Sequence, residues 1–276
     1  MRRAISLFAT TAFCVLASAA TAKPLSVAMI EASSGPAAEN GALWTEGARY
    51  GVELLNEQGG YNGEPIKFAA YDNQSTPGGA SDKLRAAIAD GARIIVSGSP
   101  SSIIAQIADD VRKHNLRNPG KELVFLMPGS QALEVTGEKC QFWTFRTTST
   151  AFIRMKALTA VMKQDGVLGP KVYSINQNYS YGQEMEKAQA EYVKQNGAEI
   201  VGATLHDVAK IQDFSPYIAK IRASGAQTVL TGNWGDDLAL LMKAASNAAL
   251  KATFGTVNLD NPGVIGSAGE AALGNY

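Results

Sequence analysis

The chain has 276 residues, of which 46% are hydrophobic, and its 25 basic and 25 acidic residues give a formal net charge of +0 at pH 7. Because there is no basic excess, we expect neither nucleic acid nor anionic lipid as a partner. The length is sufficient for one large domain or for two lobes of about 100–150 residues each.

The first 22 residues have the layout of a secretory signal peptide. Arg2 and Arg3 precede an apolar run at residues 4–19, and a small-x-small segment ends at Ala22. The run is shorter than the roughly 20 apolar residues that a membrane-spanning helix needs. We therefore expect export, cleavage near Ala22 and no direct membrane insertion of the mature protein.

From Lys23 onwards, apolar runs rich in β-formers alternate with segments of helical periodicity. The predicted strands are Leu25–Ile30, Ile66–Tyr71, Arg93–Val96, Leu123–Met127 and Phe142–Phe145, followed by Lys171–Ile175, Glu199–Leu205, Gln227–Leu230 and Ala252–Val257. Apolar residues spaced i, i+3, i+4 predict helices between them, as in Trp44, Ala48, Val52 and Leu55. Such alternation is typical of parallel sheets with helices on both faces.

The two series of strands meet at Thr144–Thr150, which we interpret as a crossover between lobes. The predicted fold is α/β, with an N-terminal lobe at residues 23–146 and a C-terminal lobe at residues 147–276, each a doubly wound parallel sheet. Open parallel sheets bind ligands beyond the carboxyl ends of their strands, so we expect a cleft between the lobes. The segment after residue 265 shows no final strand, and we expect a fragment whose missing end returns to the first lobe.

No common enzyme or metal signature occurs in the sequence: there is no G-x-S-x-G, dinucleotide loop, P-loop, C-x-x-C or H-E-x-x-H. We interpret His114 and His206 as surface residues. We expect Cys140 to be a buried, unpaired thiol, and pairing with a partner outside the given sequence is the alternative. The prediction is a binding protein with no catalytic residue, no metal and no cofactor. An enzyme with a doubly wound fold is the alternative.

Motifs along the whole chain carry a family resemblance. They are Ser34-Gly35-Pro36, Asn56 before Gly59-Gly60, Gly63, Asp72–Pro77, Phe145–Thr148, Asn176–Gln183, Ile221–Gly232 and Gly269–Gly274. Together they resemble the periplasmic solute-binding proteins of ABC transporters, specifically the branched-chain amino acid and amide group. The resemblance implies a type I periplasmic-binding fold whose two lobes close on a small solute in the periplasm. It also implies inner-membrane ABC permease subunits as partners.

In the first lobe the resemblance implies a ligand carboxylate at a helix start. Ser101 and Ser102 fall where the family places hydroxyl contacts, and free N–H groups there favour an anion. A serine N-cap without a ligand is the alternative. Gly129 and Gln131 match further carboxylate contacts, with Gln131 standing where Ser or Thr is usual. Ser130 lies between them, and an exposed loop is the alternative there.

In the second lobe Tyr181 matches a tyrosine near the polar head of the ligand, and Trp234 matches an aromatic residue that closes over it. The alternatives are a half-buried tyrosine at a helix start and a core tryptophan. Asp236 and Asp237, which follow Trp234, are interpreted as helix-capping carboxylates rather than metal ligands.

Two positions depart from the amino acid binders of the family. Asn40 stands where an aromatic residue is common, and Asp260 lies three residues beyond the position at which an acid holds the ammonium. Asp260 could serve as that acid or cap the next helix. An amino acid, an aromatic or aliphatic carboxylate, or an amide such as urea therefore stays open as the solute. A ligand sensor for a membrane receptor is the alternative function.

Overall fold

The computed structural model describes residues 24–35, 37–131 and 133–276, so the predicted signal peptide lies outside the described residues. The strands are β1 (Ser26–Glu31), β2 (Lys67–Asp72), β3 (Ile94–Val96), β4 (Val124–Met127), β5 (Thr144–Arg146), β6 (Lys171–Gln177), β7 (Glu199–His206), β8 (Thr228–Thr231) and β9 (Thr253–Thr256). The helices are α1 (Ala38–Glu57), α2 (Pro77–Ala89), α3 (Ser101–Arg117), α4 (Ala151–Gln164), α5 (Ser180–Gln195), α6 (Ser215–Ser224), α7 (Gly235–Asn247) and α8 (Pro262–Ala268). Every predicted strand overlaps an observed one.

The strands form two separate sheets, in the orders β2-β1-β3-β4-β5 and β7-β6-β8-β9. All pairings within them are parallel. We name β1–β5 with α1–α3 the first lobe and β6–β9 with α4–α8 the second lobe. In each sheet the direction in which successive strands are added reverses once, beside β1 in the first sheet and beside β6 in the second. Such a reversal opens a crevice at the carboxyl ends of the strands. The predicted two-lobed α/β architecture is confirmed, and the boundary after residue 146 stays a prediction.

Each lobe has its own hydrophobic core, which fixes its strand ends in place. In the first lobe Phe125 of β4 packs in one cluster with Leu84 of α2 and Ile107 of α3. In the second lobe Val229 of β8 packs with Leu241 of α7. Full burial of one such side chain stabilises the fold by about 1.5–3 kcal/mol.

Helix α1 forms as predicted, but its apolar face is only partly buried. Val52 packs with Val27 and Ile66 in a small cluster, whereas Leu55 remains 51% exposed and Trp44 38% exposed. The i, i+4 spacing correctly predicts the helix but not which part of its apolar stripe meets the sheet. Trp44 instead belongs to the cleft described below.

A carboxylate at the end of β2 holds the turn that follows β1. Asp72 accepts hydrogen bonds from Ser34 Oγ at 2.7 Å and from the backbone N–H groups of Ser33 at 3.0 Å and Gln74 at 2.8 Å. Slight burial raises the pKa of Asp72, but these hydrogen bonds outweigh it and lower the pKa to about 2. The turn is thus stabilised by the charged form of Asp72.

Two expectations about single side chains are wrong. His206 is only 3% exposed, because the end of β7 carries its ring against Phe214, with 5.1 Å between the ring centroids. Cys140 is exposed rather than buried, since it lies in the loop that precedes β5.

Candidate functional site

A cleft of about 470 Å³ lies between the two lobes at the carboxyl ends of their strands. The loops after β1, β3 and β4 line it on the first lobe, and those after β6, β8 and β9 line it on the second. The volume falls in the range of about 300–1,000 Å³ that is usual for small-molecule sites. All the predicted site residues except Ser102 and Ser130 line this cleft.

The start of α3 contributes Ser101 to the cleft. Ser101 is 2% exposed, and its Oγ accepts a hydrogen bond from Ser130 Oγ at 3.1 Å. Pro100 occupies the N-cap position and no side chain caps the helix, so the serine N-cap alternative is not observed. Ser102 is exposed, because successive helical residues point in different directions. The free N–H groups of the first turn and the buried hydroxyl of Ser101 suit an anion.

The loops after β3 and β4 pack backbone against backbone. A Cβ on Gly129 would lie 2.1 Å from the carbonyl oxygen of Gly98, so glycine is required for this approach. The Trp44 ring lies against Gly98, where an added Cβ would come within 2.5 Å of it. Gln131 follows at 8% exposure, and its Oε1 is buried without a hydrogen-bond partner. These loops and the Trp44 ring, which we name the first-lobe wall, present backbone, one aromatic ring and a carboxamide whose oxygen lacks a partner.

Glu31, at the end of β1, is a buried carboxylate beneath the first-lobe wall. Its oxygens accept hydrogen bonds from Ser99 Oγ at 2.6 Å, Gly98 N at 2.6 Å and Ala32 N at 3.1 Å. Burial raises the pKa of Glu31, against the opposite effect of these hydrogen bonds. Sequence reasoning missed Glu31, although a charged residue at the end of an apolar strand was a usable signal.

Aromatic side chains form the opposite side of the cleft. Trp234 is partly buried and its Nε1 donates to Tyr179 Oη at 2.8 Å, while Asn258 Nδ2 donates to Tyr181 Oη at 3.3 Å. Burial raises the pKa of Tyr181 to about 12 and that of Tyr179 well above its usual value. Both hydroxyls therefore stay protonated and keep a proton to donate. The sequence predicts Tyr181 and Trp234 as site residues, but it does not predict Tyr179 or Asn258.

Arg154, in the first turn of α4, also lines the cleft and was not predicted. Its Nε donates to Ser149 Oγ at 2.9 Å and its Nη1 donates to the carbonyl oxygen of Val257 at 3.0 Å. A cation at the positive end of a helix dipole is unfavourable, so its position in the sequence was itself a signal.

Asn40 and Asp260 lie where the lobes meet. Asn40 Oδ1 accepts a hydrogen bond from Asn261 Nδ2 at 2.5 Å, which joins α1 of the first lobe to the loop before α8 of the second. Trp44, one helical turn after Asn40, supplies an aromatic ring to the cleft. Asp260 lines the cleft but is exposed.

The prediction that both aspartates after Trp234 cap α7 is wrong, because no side chain caps this helix. Asp237 is 3% exposed and accepts hydrogen bonds from Gln177 Nε2 at 2.7 Å and Ala209 N at 2.9 Å. Asp236 is exposed. Both carboxylates still lie in the first turn, where negative charge suits the dipole.

Residues 24–276 match a family profile described as "Periplasmic binding protein". The chain belongs to this family. Membership confirms the predicted resemblance and the prediction of a binding protein rather than an enzyme. Within the residues that the structure describes, no helix combines the length and apolar character needed to cross a membrane.

Several relatives cover nearly the whole chain. It is similar to "Leu/Ile/Val-binding protein homolog 4" of Brucella abortus (strain 2308), with 53% identity over 259 residues, which are 94% of this chain and 62% of the relative. It is also similar to the crystal structure of the leucine-, isoleucine-, valine-, threonine-, and alanine-binding protein from Brucella ovis in its closed conformation. There the identity is 54% and the TM-score 0.85, over 92% of this chain and 65% of that chain. The chain thus spans less than two thirds of the length of these relatives.

A more distant structure shows the fold alone. The solute-binding protein from R. palustris in complex with benzoate is 20% identical, with a TM-score of 0.76 over 90% of this chain and 66% of that chain.

Proposed function

We propose that this chain is the extracytoplasmic solute-binding subunit of an ABC importer. It captures a small carboxylate- or amide-bearing solute by hinge closure and delivers it to permease subunits in the inner membrane. The observation that carries the proposal is the cleft between two lobes, with buried hydrogen-bonding groups on both of its sides. The names of the Brucella relatives, which refer to leucine, isoleucine and valine, support an amino acid or a similar carboxylate.

The solute carboxylate binds at the start of α3. Ser101 Oγ donates to it, and Ser130 supports Ser101 from behind through their 3.1 Å hydrogen bond. The positive end of the helix dipole adds about 0.3–1 kcal/mol, or up to about 2 kcal/mol when the site is partly buried. Gln131 Oε1, which lacks a partner, accepts a hydrogen bond from the solute where the solute carries an N–H or O–H group beside the carboxylate.

Closure brings the second lobe over the bound solute. Tyr181 and Trp234 cover it and exclude water, which strengthens each hydrogen bond in the cleft. The contact between Asn40 and Asn261 joins the two lobes in the closed state. Asp260, exposed at the edge of the cleft, faces an ammonium group where the solute has one.

The same proposal includes the cellular location. Residues 1–22 direct export to the periplasm and are removed near Ala22, after which the mature chain meets its permease at the membrane surface.

A calorimetric titration of the purified protein tests the proposal against a panel of amino acids, carboxylates and amides. We expect at least one compound to bind, and Ser101→Ala to weaken its binding roughly 10- to 100-fold through loss of one charge-assisted hydrogen bond. Ser102→Ala is the matched control, because the neighbouring hydroxyl is exposed and should leave the affinity unchanged. Failure of every compound to bind, or equal effects of the two variants, would contradict the proposal.

A further inference from the structure

The side of the cleft formed by Arg154, Tyr179 and Tyr181, which we name the second-lobe wall, is rich in hydrogen-bond donors. Each tyrosine oxygen already accepts a hydrogen bond, Tyr179 from Trp234 and Tyr181 from Asn258, so the hydroxyl protons remain available for another acceptor. Arg154 lines the same cleft as the two tyrosines. Such a wall matches a group that accepts hydrogen bonds.

The positive charge of Arg154 has no acidic counterpart among the described residues. Its two hydrogen bonds go to neutral oxygens, the Ser149 hydroxyl and the Val257 carbonyl, and no described ion pair within 4.0 Å includes it. The side chain is only partly exposed. A half-buried cation is costly without an anion, and a guanidinium is well suited to a planar carboxylate.

The two carboxylates that line the cleft do not fill this role. The Glu31 oxygens are occupied by donors from Ser99, Gly98 and Ala32 in the first lobe. Asp260 is exposed and makes no ion pair with Arg154 within the described part of the chain. No carboxylate that lines the cleft thus pairs with Arg154, which leaves its charge available to an anion from outside the chain.

We propose that Arg154 binds a carboxylate of the solute at the second-lobe wall, and that the solute is a small dicarboxylate with one carboxylate at each lobe. The inference rests on the proposed function, which places the other carboxylate at the start of α3. Tyr179 and Tyr181 donate to the same group as Arg154, so an aliphatic side chain at this wall would leave two hydroxyl protons unpaired and the charge of Arg154 without a counter-ion. That loss selects against monocarboxylates and aliphatic amino acids, so the inferred solute differs from the leucine, isoleucine and valine to which the names of the relatives refer.

Calorimetric titration with straight-chain dicarboxylates from malonate to adipate tests this inference. Each is compared with the monocarboxylate of the same carbon number, and leucine is included. We expect one dicarboxylate to bind roughly tenfold or more tightly than its monocarboxylate. Arg154→Gln should abolish this preference, and Arg154→Lys should retain much of it, because the charge remains. If Arg154 had only a structural role, both variants would be equally impaired.

Lys156→Gln is the matched control, since it removes an exposed cation from the same helix and should leave the preference unchanged. Thermal melts of each variant establish that it is folded. Tight binding of leucine or a monocarboxylate that Arg154→Gln does not alter would overturn this inference and leave the proposed function standing. Absence of binding by these compounds and by the amino acids and amides of the titration proposed above would overturn both.

Discussion

Replacing Gly129 by alanine tests how closely the two loops of the first-lobe wall are packed. The new Cβ would lie 2.1 Å from the carbonyl oxygen of Gly98 and 2.7 Å from its carbonyl carbon. Both atoms are backbone, so no rotamer change relieves the overlap, and one loop must move by about 1 Å to restore van der Waals contact. Overpacking of this kind costs about 1–3 kcal/mol. At about 2–4 °C per kcal/mol for a chain of this size, the Tm should fall by roughly 2–12 °C.

Differential scanning calorimetry of Gly129→Ala beside Gly51→Ala provides the comparison. A Cβ on Gly51, inside α1, would meet nothing within 4 Å, so alanine there should stabilise the helix by about 0.5–1 kcal/mol. Replacing glycine by alanine is thus expected to lower the Tm at position 129 and to raise it at position 51. Gly129→Ala should also weaken solute binding, because it displaces Gly98, which lines the cleft. A Gly129→Ala protein that melts at or above the wild-type temperature would refute the reasoning.

Two further predictions concern the turn after β1 and the contact between the lobes. Because the pKa of Asp72 is lowered from 3.8 to about 2 in the folded protein, its carboxylate stabilises the fold above about pH 4, and this contribution disappears towards pH 2. Urea melts of wild type and Asp72→Asn should therefore converge as the pH falls, and a constant difference would argue against the hydrogen bonds from residues such as Ser34. We expect Asn40→Ala, which removes the hydrogen bond to Asn261 and leaves the Asn261 side chain capping α8, to speed solute dissociation roughly 2- to 10-fold. Stopped-flow measurement would show this, and an unchanged rate would exclude a role for the contact in closure.

Hydrophobic pattern alone predicted the strands well, because a strand buried on both faces of a parallel sheet needs a continuous apolar run. The hydrophobic pattern is less accurate at the ends of strands. The apolar run of β6 ends at Ile175, yet the strand continues through Asn176 and Gln177, both of them buried. Asn176 is buried because it hydrogen-bonds to Gln189 and to the backbone of Gly232. These partners are remote in sequence and leave no local signal.

The predicted site residues show the same contrast between what the local sequence predicts and what tertiary packing decides. Ser101 and Ser102 are equivalent in the sequence, but successive residues of a helix point in different directions, so only the docking of α3 decides which one faces the cleft. Asn40 and Trp44 lie one turn apart on the same face of α1, and both reach the cleft. The family resemblance pointed to Asn40 but not to the aromatic ring of Trp44.

The sequence by itself determined the alternation of strands and helices, and with it the location of the cleft beyond the strand ends, because these depend on local periodicity and turn residues. It did not determine the chemistry of the cleft walls. Arg154 bonds to Val257, which is 103 residues away, and Glu31 bonds to Gly98 and Ser99 across the sheet. Only the tertiary structure brings such pairs together, because their proximity follows from how α4 and the strand ends pack rather than from any pattern along the chain.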